Sequence, residues 1–158
     1  MAYGAYGNLT PNKAGLMDGL ENEVRSLLVA SGVTSIAPGE PVFVKPGDET
    51  GAFLPDSTDG TRLFAGVAII SQRSFVNSED NLYPTYDQIS VLEEGDVWVP
   101  VASGISAIAN KAAYIINVTG DGQFKKFTDA VGSNYASGCY FKSNVLNGLA
   151  VLEVRGLK

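Results

Sequence analysis

From Val24 onward the apolar residues of this chain come in short runs, nearly all closed by a glycine, a proline or an Asn-Gly or Asp-Gly pair. That punctuation limits the fold more than any other feature, because a helix of ordinary length needs a longer uninterrupted stretch than most of these spacings allow. With 18 glycines and 7 prolines in 158 residues, turns must be many and close together. Hydrophobic residues make up 45%, enough for one core, and the length suits one domain. The expectation is an all-β protein, a single β-sandwich or small β-barrel-like domain of about eight short strands over residues 24–158. An extended N-terminal arm, residues 1–23, precedes it.

Individual runs assign the strands. Val24 to Ala30 is a first strand, ended by Ser31-Gly32, and Ile36-Ala37-Pro38-Gly39 is a turn. Pro41 to Val44 is a short strand whose prolines place it at an edge or at a strand start. Lys45 to Thr61, with Pro46-Gly47, Pro55 and Asp59-Gly60, reads as a polar surface loop. Phe64 to Ile70 is almost continuously apolar and reads as a central strand buried on both faces. Ser71 to Tyr86 is a second polar excursion. Ile89-Ser90-Val91 and Val97-Trp98-Val99-Pro100-Val101 alternate with period two around Glu93-Glu94-Gly95-Asp96, which predicts a β-hairpin with Val97, Val99 and Val101 on one buried face. Ser103 to Lys111 is a short helix or a turn-rich connector. Ala113 to Val118 and Gln123 to Phe127 form another hairpin around Thr119-Gly120-Asp121-Gly122. Cys139-Tyr140-Phe141 and Gly148 to Val154 complete the set.

In the arm, Tyr3, Tyr6, Leu9, Leu16, Met17 and Leu20 are spread among Gly4, Gly7, Gly15, Gly19 and Pro11. Flanking glycines each cost about 1 kcal/mol in a helix interior, so extended or irregular backbone is expected. So polar an arm orders only against a partner, and these six residues are the expected contacts with that partner or with a neighbouring subunit. Tyrosine suits the task, offering a large contact area for only two torsions.

The inventory for chemistry is sparse. Histidine is absent and the one cysteine, Cys139, has no partner in the chain, so it reads as a small buried hydrophobe. Glu93, Glu94 and Asp96 read as solvated turn charges rather than an acid–base pair. Ser106 and Lys111 are too ordinary a combination to imply a nucleophile. Asp56 to Gly60 has an acidic start but lacks the ligands of a calcium loop, with Val67 where its closing Glu would stand. Asn8 and Asn117 sit in sequons, which carry no weight without an export signal. No catalytic residue, cofactor or metal is expected. The net charge of -6 repels phosphate backbones and anionic lipid, so neither nucleic acid nor membrane is an expected partner.

Three segments together resemble the structural cement, or head decoration, proteins of tailed bacteriophages. They are Phe64-Ala65-Gly66-Val67-Ala68-Ile69, the stretch from Ile89 through Glu93-Glu94-Gly95-Asp96 to Val101, and the closing Asn147-Gly148-Leu149-Ala150-Val151-Leu152-Glu153-Val154. The resemblance implies a non-enzymatic virion protein on the outer surface of an icosahedral head, made in the host cytoplasm. It further implies binding to the major capsid protein, bridging its subunits and locking the expanded shell, as a homo-oligomer, trimer ahead of dimer. A carbohydrate- or receptor-binding β-module of a fibre or appendage is the alternative, with Trp98, Tyr83 and Tyr86 as its stacking aromatics.

Overall fold

The computed structural model describes residues 13–19, 22–56, 60–70, 82–120 and 122–155, and among them there is no helix. Eleven strands follow one another, several of them only two residues long, rather than about eight. They are β1 (Glu23–Val29), β2 (Ser35–Ile36), β3 (Pro41–Lys45), β4 (Asp48–Phe53), β5 (Leu63–Ala68), β6 (Tyr83–Pro84), β7 (Gln88–Pro100), β8 (Ala112–Ile115), β9 (Phe127–Thr128), β10 (Tyr135–Phe141) and β11 (Leu149–Val154).

Strand β7 organises the molecule. Its first half pairs with β1, from Glu23 opposite Glu94 to Leu28 opposite Gln88, and with β5 at Val67–Leu92 and Ala68–Val91. Its second half pairs with β11, from Val154 opposite Gly95 to Leu149 opposite Pro100. The order β1-β4-β3-β5-β7 returns to β1 and so closes a five-stranded barrel. The remaining strands run β7-β11-β10-β8-β9, and β9 meets the chain just beyond β7 through a parallel Val101–Phe127 bridge and an Ala102 N to Phe127 O hydrogen bond of 2.9 Å. The second half thus also curls back upon β7.

This corrects the hairpin expected at residues 89–101. Glu93-Glu94-Gly95-Asp96 is no turn; one 13-residue strand runs straight through it. Gly95 instead marks the bend where β7 leaves one set of partners and joins the other. Its φ of 138° is accessible to glycine, and an added Cβ would stand 2.1 Å from Asn22 Oδ1. The register of β1 on β7 shifts between Glu23 and Val24, beside that bend, as a bulge does where a strand changes sheets.

The buried face expected of Val97, Val99 and Val101 is present: they are 0%, 0% and 4% exposed. The strand expected over Phe64 to Ile70 is β5, central between β3 and β7, with Phe64, Val67, Ala68 and Ile69 buried and Ala65 and Ile70 half-buried. The polar loop expected at 45–61 is corrected by β4. Lys45 opposes Asp48 across a two-residue Pro46-Gly47 connection, and Leu28–Gly51 and Val29–Ala52 pair β4 in parallel with β1. The expected hairpin after Ala113 forms, but its return strand is Phe127–Thr128 rather than Gln123–Phe127. Ser103 to Lys111 is a turn-rich connector.

One continuous core joins both halves. Tyr135 of β10 packs edge-on against Phe43 of β3 with ring centroids 4.9 Å apart, and its hydroxyl accepts from Phe64 N at 3.2 Å. Lys125 Nζ reaches Glu40 Oε2 at 2.6 Å, a partly covered ion pair between the β8–β9 connection and the turn before β3. The two halves are therefore held by ring packing and a charge-assisted bond as well as by β7.

Candidate interaction surface

Within the span expected as an arm, residues 15–18 pair with β7. Gly15 N donates to Trp98 O at 2.8 Å, Trp98 N to Leu16 O at 3.0 Å and Asp18 N to Asp96 O at 2.8 Å, with Met17 bridged antiparallel to Val97. On the other side Ile70 N donates to Gly15 O at 3.0 Å. Residues 15–18 thus continue the line of β1 along β7 as a strap, wedged so closely against the Pro38-Gly39 turn that a Cβ on Gly15 would lie 2.5 Å from Pro38 Cβ. Leu16 and Met17 stay 41% and 38% exposed on that strap. Tyr3, Tyr6, Leu9 and Leu20 lie outside the described residues, as does Asn8.

The Met17–Val97 register sets Leu16 opposite Trp98, and β11 sets Val151 opposite Trp98 on its other side. Because Val97 and Val99 face the core, Trp98 and its neighbours face outward. Leu16, Trp98 and Val151 therefore lie in one apolar row across three segments, with Leu16 exposed, Trp98 half-covered and Val151 buried at 6% exposure. Two residues along β7 a second row runs parallel to it: Asp18 beside Asp96, Asp96 opposite Glu153, and Glu153 opposite Tyr140 of β10. Lys142 Nζ reaches Asp96 Oδ2 at 2.9 Å, and Arg155 stacks on the Tyr140 ring at 4.6 Å. Hydrogen bonding and attraction from Asp96 raise the pKa of Lys142.

The carboxylates expected as turn charges are strand residues. Glu93 Oε1 lies 3.5 Å from Arg25 Nη1, Glu94 is exposed, and Asp96 belongs to the row above. Ser106 and Lys111 are both exposed, and Lys111 Nζ pairs with Asp129 at 3.2 Å instead. Asp56 pairs with Arg62 at 3.4 Å, and residues 57–59 lie outside the described set. Among the described residues no three carboxylate or thiol groups converge as metal ligands. Cys139 is fully buried, its pKa raised first by loss of solvent.

Of the aromatics considered for sugar stacking, Tyr83 is 2% exposed and donates its hydroxyl to Ile69 O at 2.5 Å, so it offers no ring face. Tyr86 is 71% exposed at a φ of 68°, held by Tyr86 N to Val29 O at 2.8 Å. Trp98 is half-covered on the opposite side of Gly95 along the strand. The three rings do not form one platform. The rows themselves escape sequence reasoning because the strap, β7 and β11 are far apart in the chain; only the outward parity of Trp98 points to them.

In fold the chain is similar to a protein chain in the capsid of Myoviridae phage XM1, with a TM-score of 0.75 and 17% identity over 94% of this chain and 92% of that one. No curated protein sequence matches it. The family model of the phage structural cement proteins (E217 gp24/Pam3 gp6) matches residues 8–155. A match over nearly the whole length places the chain in a family: it belongs to the structural cement proteins, and it is a structural, capsid-associated component of a bacteriophage virion.

Proposed function

We propose that this protein cements an expanded phage head from its outer surface by bridging neighbouring major capsid protein subunits, as a homo-oligomer with the trimer favoured over the dimer. The family match over residues 8–155 carries the reading. The fold supports it: two halves welded along one strand make a stiff block suited to holding neighbours at fixed separation. Each copy needs only modest affinity, since one contact raises the effective concentration for the next. No metal, cofactor or bond-making step enters.

The arm is the second contact. Tyr3, Tyr6 and Leu9 precede the strap in sequence, Leu16 and Met17 lie on it, and Leu20 follows it in sequence. With the strap held against β7, the 12 residues before Lys13 can extend at most about 40 Å at 3.3–3.6 Å each, enough to reach an adjacent subunit. Capsids stripped of the protein should lose resistance to heat or osmotic shock and regain it on adding purified protein, with or without a chelator. Stripped capsids as robust as complete ones, or recovery that requires a divalent cation, would sink the reading.

A further inference from the structure

We propose that the outward face of β7 and β11 beside Gly95 is a docking site for a cationic segment of the capsid protein, one that sets Lys or Arg side chains next to an apolar anchor. The inference rests on the cementing function proposed above and names the surface and chemistry through which it acts. Leu16, exposed on the strap, and the half-covered Trp98 supply the apolar half, with Val151 buried beside Trp98. Next to them lies a groove of about 800 Å³, lined among the described residues by the carboxylates of Asp18, Glu23, Glu94, Asp96 and Glu153 together with the cation of Arg155.

Charge complementarity selects the occupant. Lys142 meets Asp96 from the rim, Arg155 pairs with Glu153 at 3.6 Å and Arg25 serves Glu93 outside the groove, so the negative charge on offer at the groove is carried by the exposed Asp18 and Glu23. Such a field repels phosphate, anionic lipid and other copies presenting the same face, and it draws a basic segment. A half-covered tryptophan flanked by aliphatic side chains is the kind of anchor on which interface affinity concentrates, and charges at its border set approach and register. The bend at Gly95 brings β1, the strap and β11 around one point, so a ligand there touches three segments at once.

The test uses full-length protein and expanded capsids stripped of it. Asp18 and Glu23 are exposed, so Asp18→Lys with Glu23→Lys should fold normally, and Glu49→Lys, exposed on β4, is the control. The double variant should bind roughly tenfold or more weakly, with unchanged melting temperature and oligomeric state. Raising salt from ~0.1 to ~0.5 M should weaken binding of the parent and the control but barely that of the double variant. Leu16→Ala should weaken binding with little change in salt dependence. If the parent binds and the double variant binds equally well, the face is wrong while the cementing function stands. If the double variant instead loses its own oligomer, the face joins copies and the inference is overturned. Failure of the parent itself to bind stripped capsids overturns both.

Discussion

Two truncations separate an arm from a structural strap. Removing residues 2–12 leaves Gly15 to Asp18 in place, whereas removing 2–20 deletes the four backbone hydrogen bonds that tie the strap to the rest of the described fold: Gly15 to Trp98, Trp98 to Leu16, Asp18 to Asp96 and Ile70 to Gly15. Each bond contributes about 0.5–1.5 kcal/mol net, and the groups it frees become accessible to water rather than stranded, so a total of about 3 kcal/mol is expected. The strap also packs against Pro38 and Gly39, which are buried, and loss of that packing adds to the cost. Against a typical stability of about 5–15 kcal/mol this is a substantial share. At about 2–4 °C per kcal/mol for a domain of this size, the longer truncation should melt roughly 6–12 °C below the parent, and the shorter within about 2 °C of it. Thermal unfolding followed by near-UV circular dichroism reads both, and capsid occupancy of the shorter truncation, measured below its transition, then reports the contribution of residues 2–12 alone. A longer truncation that melts with the parent would show that the strap is no part of the fold.

Three other expectations address the core. Val99 is fully buried opposite Ala150, so Val99→Asp forces a carboxyl into an apolar face and should cost several kcal/mol; a soluble variant melting within a degree or two of the parent would mean the register is wrong. A Cβ on Gly66 would stand 2.1 Å from Leu92 O, a backbone atom that cannot swing away, so Gly66→Ala should destabilise by about 2–5 kcal/mol, and a melting point unchanged from the parent would show that β5 does not approach β7 so closely. Burial holds the Cys139 thiol neutral and its pKa above 9.0, so this contribution to stability is intact below that pH and declines as rising pH ionises the unfolded chain. The native thiol should resist an aromatic disulfide reagent at pH 8 until denaturant is added, and rapid native labelling would contradict its burial.

Much of the architecture is legible from local chemistry. Turn residues at short spacing exclude long helices, and period-two alternation places Val97, Val99 and Val101 inward and Trp98 outward, because side chains in a strand alternate whatever the strand pairs with. The lack of histidine and of paired cysteines likewise narrows the chemistry on composition alone. What alternation cannot decide is the partner. Gly95 serves a turn or a bend in a continuous strand equally well, and the choice falls to tertiary structure: β1 stands ready for residues 88–94 and β11 for residues 95–100, so pairing outward gives β7 more ladder than folding back on itself. Asp48 to Phe53 resembles loop because half of it is polar, yet β1 and β3 flank it and supply hydrogen bonds on both sides. Gly15 to Asp18 resembles arm because glycine weakens every local preference, and only the slot between Trp98 and Ile70 makes it a strap. The same holds for the candidate surface, whose rows draw on residues 16–18, 96–98 and 151–153. Sequence sets the face each of these side chains takes; only the pairing of distant strands makes those faces one.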